Sequence, residues 1–133
     1  MHWTGQSASA EVSSNKESFV SATIVVLYPH PQDPARFEEA YVNRHLPLMR
    51  RLLGPHVQLP TYRAVSTAER PSPFYRMAEI HFETMAGLLE FASSEQAQLA
   101  RASAQDVSTG GPPIVLVCER CAEESRPGHE EVR

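Results

Sequence analysis

His45 lies in the run Tyr41-Val42-Asn43-Arg44-His45-Leu46-Pro47-Leu48-Met49, which carries side chains suited to proton transfer. Phe37, Tyr41, His45, Leu48 and Leu52 recur at steps of four, four, three and four, the spacing of one helical face. An imidazole on an apolar stripe, one turn after a phenol, is placed to titrate near neutrality and to move protons. A core histidine satisfied by a nearby carbonyl fits the same spacing. Pro47 lacks an N–H and crowds the carbonyl of Asn43, while Leu46 before it is pushed away from helical angles. The residues therefore predict a kink or break in the helix at His45, with backbone carbonyls freed and space opened beside it.

Asp106 is the second catalytic candidate. A carboxylate entering a loop after the second helix can orient an imidazole or accept a proton; it can also cap a turn beside Ser108 and Gly110. Tyr41 can donate its phenolic proton to a substrate carbonyl, or pack as an aromatic with a polar tip. Tyr28 and Met49 join it as candidate substrate-binding residues, as do His81 and Arg63, the latter as a site for an anionic group. His81 and Glu79 share one strand face, so they form either a second acid/base pair in a pocket or a polar cluster across an interface; alternation does not say which face is which. His30, in a proline-rich loop, carries no expected chemistry. The spacing of His45, His81 and Asp106 does not require a metal, and none is expected. Cys118 and Cys121 form a lone C-x-x-C with no second pair to complete a zinc site, and read as a small buried thiol and an incidental neighbour.

The elements that would position these groups follow in order. Ala22 to Tyr28 is an apolar, β-branched run that reads as a buried strand, ended by Pro29, Pro31 and Pro34. The helix bearing His45 follows and stops at Gly54-Pro55. Thr61 to Ser66 reads as a second strand. Phe74 to Phe82 reads as a third, with Ala78, Ile80 and Phe82 on one face and Met77, Glu79 and His81 on the other. Thr84 opens a second helix, and Ser93 and Gln96 form a capping-box spacing that restarts it through Ala102. Ile114 to Cys118 is the last strand. This βαββαβ order predicts an α+β ferredoxin-like domain, a four-stranded antiparallel sheet with helices on one face. Apolar residues on both sides of the outer strands predict that a second copy covers the other face.

At 133 residues the chain has room for one domain. Residues 1–18 read as a flexible leader, 19–121 as the domain and 122–133 as a flexible acidic tail. The formal charge of −4, from 12 basic and 16 acidic residues, argues against a nucleic-acid surface. There is no apolar run long enough to span a bilayer and no secretory signal pattern, so the expected compartment is the cytoplasm.

The stretch VVLYPHP, the pattern Phe37-x-x-x-Tyr41-x-x-x-His45-Leu46-Pro47-Leu48 and the end Leu52-Leu53-Gly54 resemble the EthD-like family of dimeric α/β-barrel proteins. So does Pro73 to Thr84, as that family's third strand running into its second helix, and so does Asp106 ahead of the final strand. The resemblance spans residues 22–119. It implies a homodimer whose two sheets pack into a barrel, with one small-molecule pocket per subunit. It implies a cofactor-independent enzyme doing acid/base chemistry (dehydration, isomerisation or cyclisation) on a small oxygenated aromatic or polyketide-type molecule, with His45 and Asp106 as catalytic residues. A non-catalytic binding or accessory protein and a cofactor-free monooxygenase are the alternatives. Similar chains often continue after the aspartate into an Asn-Tyr pair, whereas this one has Val107-Ser108-Thr109-Gly110-Gly111.

Overall fold

A computed structural model describes residues 20–121; the expected leader and tail lie outside the described residues. Strands β1 (Ala22–Pro29), β2 (Thr61–Arg63), β3 (Phe74–Phe82) and β4 (Ile114–Glu119) form one sheet in the order β2-β3-β1-β4. Every pairing is antiparallel, with Ile24 opposite both Ile80 and Val117. The helical segments α1 (Pro34–Ala40), α2 (Leu46–Leu53), α3 (Met85–Ala92) and α4 (Glu95–Val107) complete the βαββαβ order. This is the expected α+β ferredoxin-like fold.

Local chemistry sets the helix boundaries. Asp33 caps α1 by accepting from the backbone N–H groups of Ala35 and Arg36. Thr84 accepts from the N–H of Gly87 and opens α3. Ser94, one residue later than the spacing predicts, caps α4 by accepting from Ala97, and α4 runs on to Val107 rather than stopping near Ala102. Gly54 ends α2 at φ 87°, a conformation that favours a residue without Cβ. The second strand is shorter than expected: pairing ends at Arg63, and only an isolated bridge joins Ser66 to Pro71.

The core lies on the sheet face that carries Ile24, Ala78 and Ile80, closed by Leu88, Ala92 and Ala100 from the helices. Leu88 is fully buried, which contributes on the order of 2 kcal/mol. A second cluster of Tyr28, Phe37, Tyr41, Tyr75 and Val107 fills the end of the layer near α1. The opposite sheet face carries Val25, Leu27, Met77, Glu79, His81 and Leu116, and no element among the described residues packs on it. Cys118 stands on that face and is exposed, as is Cys121, so the expectation of a buried thiol is corrected. Alternation places Cys118 opposite Thr23, away from the helices.

Candidate functional site

Between α1 and α2 the chain makes a π-helical turn, Tyr41–His45. The Leu46 N–H donates to the Tyr41 carbonyl, five residues back, and Leu46 keeps helical angles at φ −63° and ψ −42°. The irregularity expected at His45 as a kink or break thus takes the form of a π turn, and the expectation that Leu46 leaves helical angles is corrected. The wide turn takes up the strain of Pro47, which falls in the first turn of α2, where a missing N–H is tolerated. The extra residue in the turn also holds phase. Residues four apart drift around an α-helix, yet Phe37, Tyr41, His45 and Met49 all stay buried. Met49 thus replaces Leu48 as the inward residue after His45. The rings run in file: Phe37 stacks on Tyr41 at 5.3 Å, and Tyr41 tilts against His45 at 5.3 Å.

His45 is 4% exposed. Its Nε2 lies 3.3 Å from the Tyr28 hydroxyl on β1, and its Nδ1 lies 2.7 Å from the Ser103 hydroxyl on α4. In the Nδ1–H tautomer, Nδ1 donates to Ser103 and Tyr28 donates to Nε2; in the other tautomer both bonds reverse. Both ring nitrogens are engaged either way. Burial, with no carboxylate to offset it, lowers the His45 pKa from 6.5 to about 4. The imidazole is thus neutral at pH 7, not poised near neutrality as its type alone predicts. Burial also raises the Tyr28 and Tyr41 hydroxyls, Tyr41 to about 12. The Tyr41 hydroxyl is buried without a hydrogen-bond partner, while the Arg76 guanidinium lies 4.6 Å over its ring. Arg76 in turn donates to Glu38 at 3.4 Å.

Tyr28, Tyr41 and His45 form the polar end of a cleft of about 530 Å³ between sheet and helices. Of the expected site residues, Tyr28, Tyr41, His45 and Met49 line it together. Ile24, Val26, Ala78, Ile80, Phe91 and Val117 make its apolar walls, and Ser93, Gln98 and Arg101 its other polar groups. A space this size suits a small ligand.

Three expected site residues lie elsewhere. Asp106 is the penultimate residue of α4, with a side chain 69% exposed and 3.8 Å from Arg44. Helical periodicity turns it outward, and Ser103 takes the orienting position beside His45 instead. His81 sits on the opposite sheet face and pairs with Glu79 at 2.9 Å, because Ala78 and Ile80 are the residues that face the cleft. Arg63 ends the short β2 and lays its guanidinium over Tyr75 at 4.9 Å. Ser103 gave no signal in the sequence, since the expected helix stops at Ala102 and only its continuation to Val107 carries Ser103 to His45. Arg76 was hidden because a half-buried cation on a strand reads as exposed.

A model of the EthD domain family matches residues 29–107. An uncharacterised 11.0 kDa protein from the thcB–thcC intergenic region of Rhodococcus erythropolis is 29% identical over 97 residues, covering 72% of this chain and 92% of its own. An ethyl tert-butyl ether D (EthD) family protein of Bacillus halodurans superposes with a TM-score of 0.66 at 24% identity, over 76% of this chain and 99% of that one. The hydroxynitrile lyase of Passiflora edulis superposes at 0.56 with 14% identity, over 79% and 96%.

Proposed function

The chain belongs to the EthD domain family, and from that membership and the cleft at His45 we propose an enzyme that works without an organic cofactor on a small, largely apolar, oxygenated molecule. The substrate class is an aromatic or polyketide-type carbonyl compound, and the reaction a dehydration, isomerisation or cyclisation. The observation that carries this reading is the neutral His45 held between Tyr28 and Ser103 at the floor of an apolar cleft. A neutral imidazole acts best as part of a hydrogen-bonding chain that polarises a carbonyl, since an oxyanion is stabilised by donors already in place. Tyr28 is the hydroxyl that meets the substrate; His45 gives to or takes from it as charge develops, and Ser103 holds the ring. Positioned groups of this kind contribute on the order of 100- to 10,000-fold. The same fold carries a lyase in Passiflora edulis.

The engagement of both ring nitrogens inside the protein favours one second reading, a binding or accessory protein that uses the cleft without proton transfer. One experiment separates the two. The bicyclic ketone 2-tetralone and related β-hydroxy ketones are incubated in D₂O, and NMR follows deuterium uptake beside the carbonyl and loss of water. Protein-dependent exchange or dehydration that falls at least tenfold in His45→Gln supports the enzyme. Binding that survives in His45→Gln with no turnover in either protein leaves the accessory reading.

We further propose a homodimer through the uncovered sheet face, where Met77, Leu27 and Leu116 stand beside the exposed Tyr62 and Ile114. Leu116→Glu would put a charge in that apolar layer and leave a monomer in sedimentation. A wild-type chain that sediments as a monomer at micromolar concentration overturns the dimer.

A further inference from the structure

The cleft has two polar ends, and they differ. At one end Ser103 and Ala104 of α4 lie beside His45. At the other end Ala97 and Gln98 of the same helix line the wall. Seven residues at a rise of about 1.5 Å separate the two levels by about 10 Å. Arg101 starts between them. Side chains on a helix lean back toward its N-terminus, and Arg101 does so, its Nη1 donating to the Ala92 carbonyl at 3.4 Å where α3 ends. Its guanidinium therefore sits at the end of the cleft away from His45. That single bond, to a neutral carbonyl, uses one of the five donors that a guanidinium carries.

Charge points the same way. Among the described residues none that lines the cleft is Asp or Glu, and Arg101 is the one cation among them. Among the described residues no carboxylate pairs with Arg101: the ion pairs join Arg44 to Asp106, Arg76 to Glu38 and His81 to Glu79. Between the ends the walls are apolar, from Ile24 and Ile80 to Phe91. A long apolar slot, with a hydrogen-bonding floor at one end and, at the other, a guanidinium that no carboxylate among the described residues pairs with, matches an amphiphilic shape. Resting on the reading of this cleft as the small-molecule site, we propose that its ligand is an amphiphilic acid about 10 Å long. Its carbonyl or hydroxyl end goes to Tyr28 and His45. Its carboxylate goes to Arg101, which can take it in a two-pronged pair, with Gln98 beside it. A neutral isostere would leave the guanidinium without its counter-charge, so selectivity falls on the ionised end.

The test uses two probes of one shape, naphthalene-2-carboxylate and naphthalene-2-carboxamide, titrated calorimetrically at pH 7.5 into the full chain. The wild type should bind the carboxylate at least tenfold more tightly than the amide. Arg101→Gln should bring that ratio close to one by weakening the carboxylate alone, and Arg101→Lys should keep part of it, since a point charge replaces the fork. Raising the salt from 0.05 to about 0.5 M should shrink the wild-type preference, because this end of the cleft is open to solvent. Ala100→Phe fills the middle of the slot and should abolish both. A wild type that binds the amide as well as the carboxylate, or an Arg101→Gln that keeps the preference, overturns the proposal while the cleft stands as the site. Binding of both probes that Ala100→Phe leaves untouched, or no binding of either, overturns the reading of the cleft itself.

Discussion

Replacing His45 by Gln should change how the fold depends on pH, by an amount the structure sets. The unfolded chain takes up the imidazole proton near pH 6.5, whereas the folded chain takes it up only near 4, because burial penalises the charged ring. Above pH 6.5 the ring is neutral in both states and its contribution is fully present. As the pH falls from 6.5 to about 4 the unfolded state holds a proton that the folded state does not, so stability is lost across that window. At about 1.4 kcal/mol per pH unit, the gap amounts to about 3 kcal/mol at its lower end. Gln has no proton to take up, and its amide can still reach Tyr28 and Ser103. Urea unfolding of both proteins at pH 7.5, 6.0 and 4.5 isolates the effect, since the carboxylates common to both cancel in the difference. The variant should be less stable than wild type by about 1–2 kcal/mol at pH 7.5, from the altered packing and hydrogen bonds. It should be level or ahead at pH 4.5. A difference that stays constant to within about 0.5 kcal/mol across the range, or an imidazole NMR signal that titrates above pH 6, would refute the account of His45 as a buried neutral ring.

Three further outcomes follow from particular contacts. Ser103→Ala leaves Nδ1 of His45 without its partner and should cost about 1–3 kcal/mol in denaturant melts, with turnover falling at least tenfold, whereas Ser103→Thr should keep most of both. Asp106→Asn removes only an exposed 3.8 Å pair with Arg44; chemical melts should move by no more than about 1 kcal/mol and turnover should stay within twofold, and a large loss of turnover would restore Asp106 to the site. Gly110→Ala puts a Cβ 1.8 Å from the His30 carbonyl oxygen and 2.7 Å from its carbon. That backbone cannot step aside cheaply, so thermal unfolding should show a loss of about 2 kcal/mol or more.

The element order was legible because each element carries a local signature. The β-branched run at Ala22, the Thr84 start and the Gly54 stop act within a few residues of themselves. The alternation of β3 was also right in every residue from Met77 to Phe82. Pro47 predicts a kink or break at His45 but not a π turn, because it excludes an ordinary helical bond without saying which other register the chain will take. A bond from Leu46 to Tyr41 satisfies the turn and keeps Met49 inside.

His45 and Tyr41 share a helical stripe and Tyr28 ends a strand beside it, so their nearness was legible in the sequence; Met49 is off that stripe, which runs on through Leu48, and is brought inward by the π turn. That Asp106, His81 and Arg63 lie away from the cleft was not legible, because their places depend on which sheet face meets the helices and how far α4 runs. What the sequence determined by itself was local: periodicity, caps, turns and the order of elements, each set by near neighbours along the chain. Only the tertiary structure decided that His45 is neutral, that Ser103 rather than Asp106 holds it, and that Arg101 reaches the far end of the cleft. Burial, and pairing between residues as distant as 45 and 103, arise only when the layers close on one another.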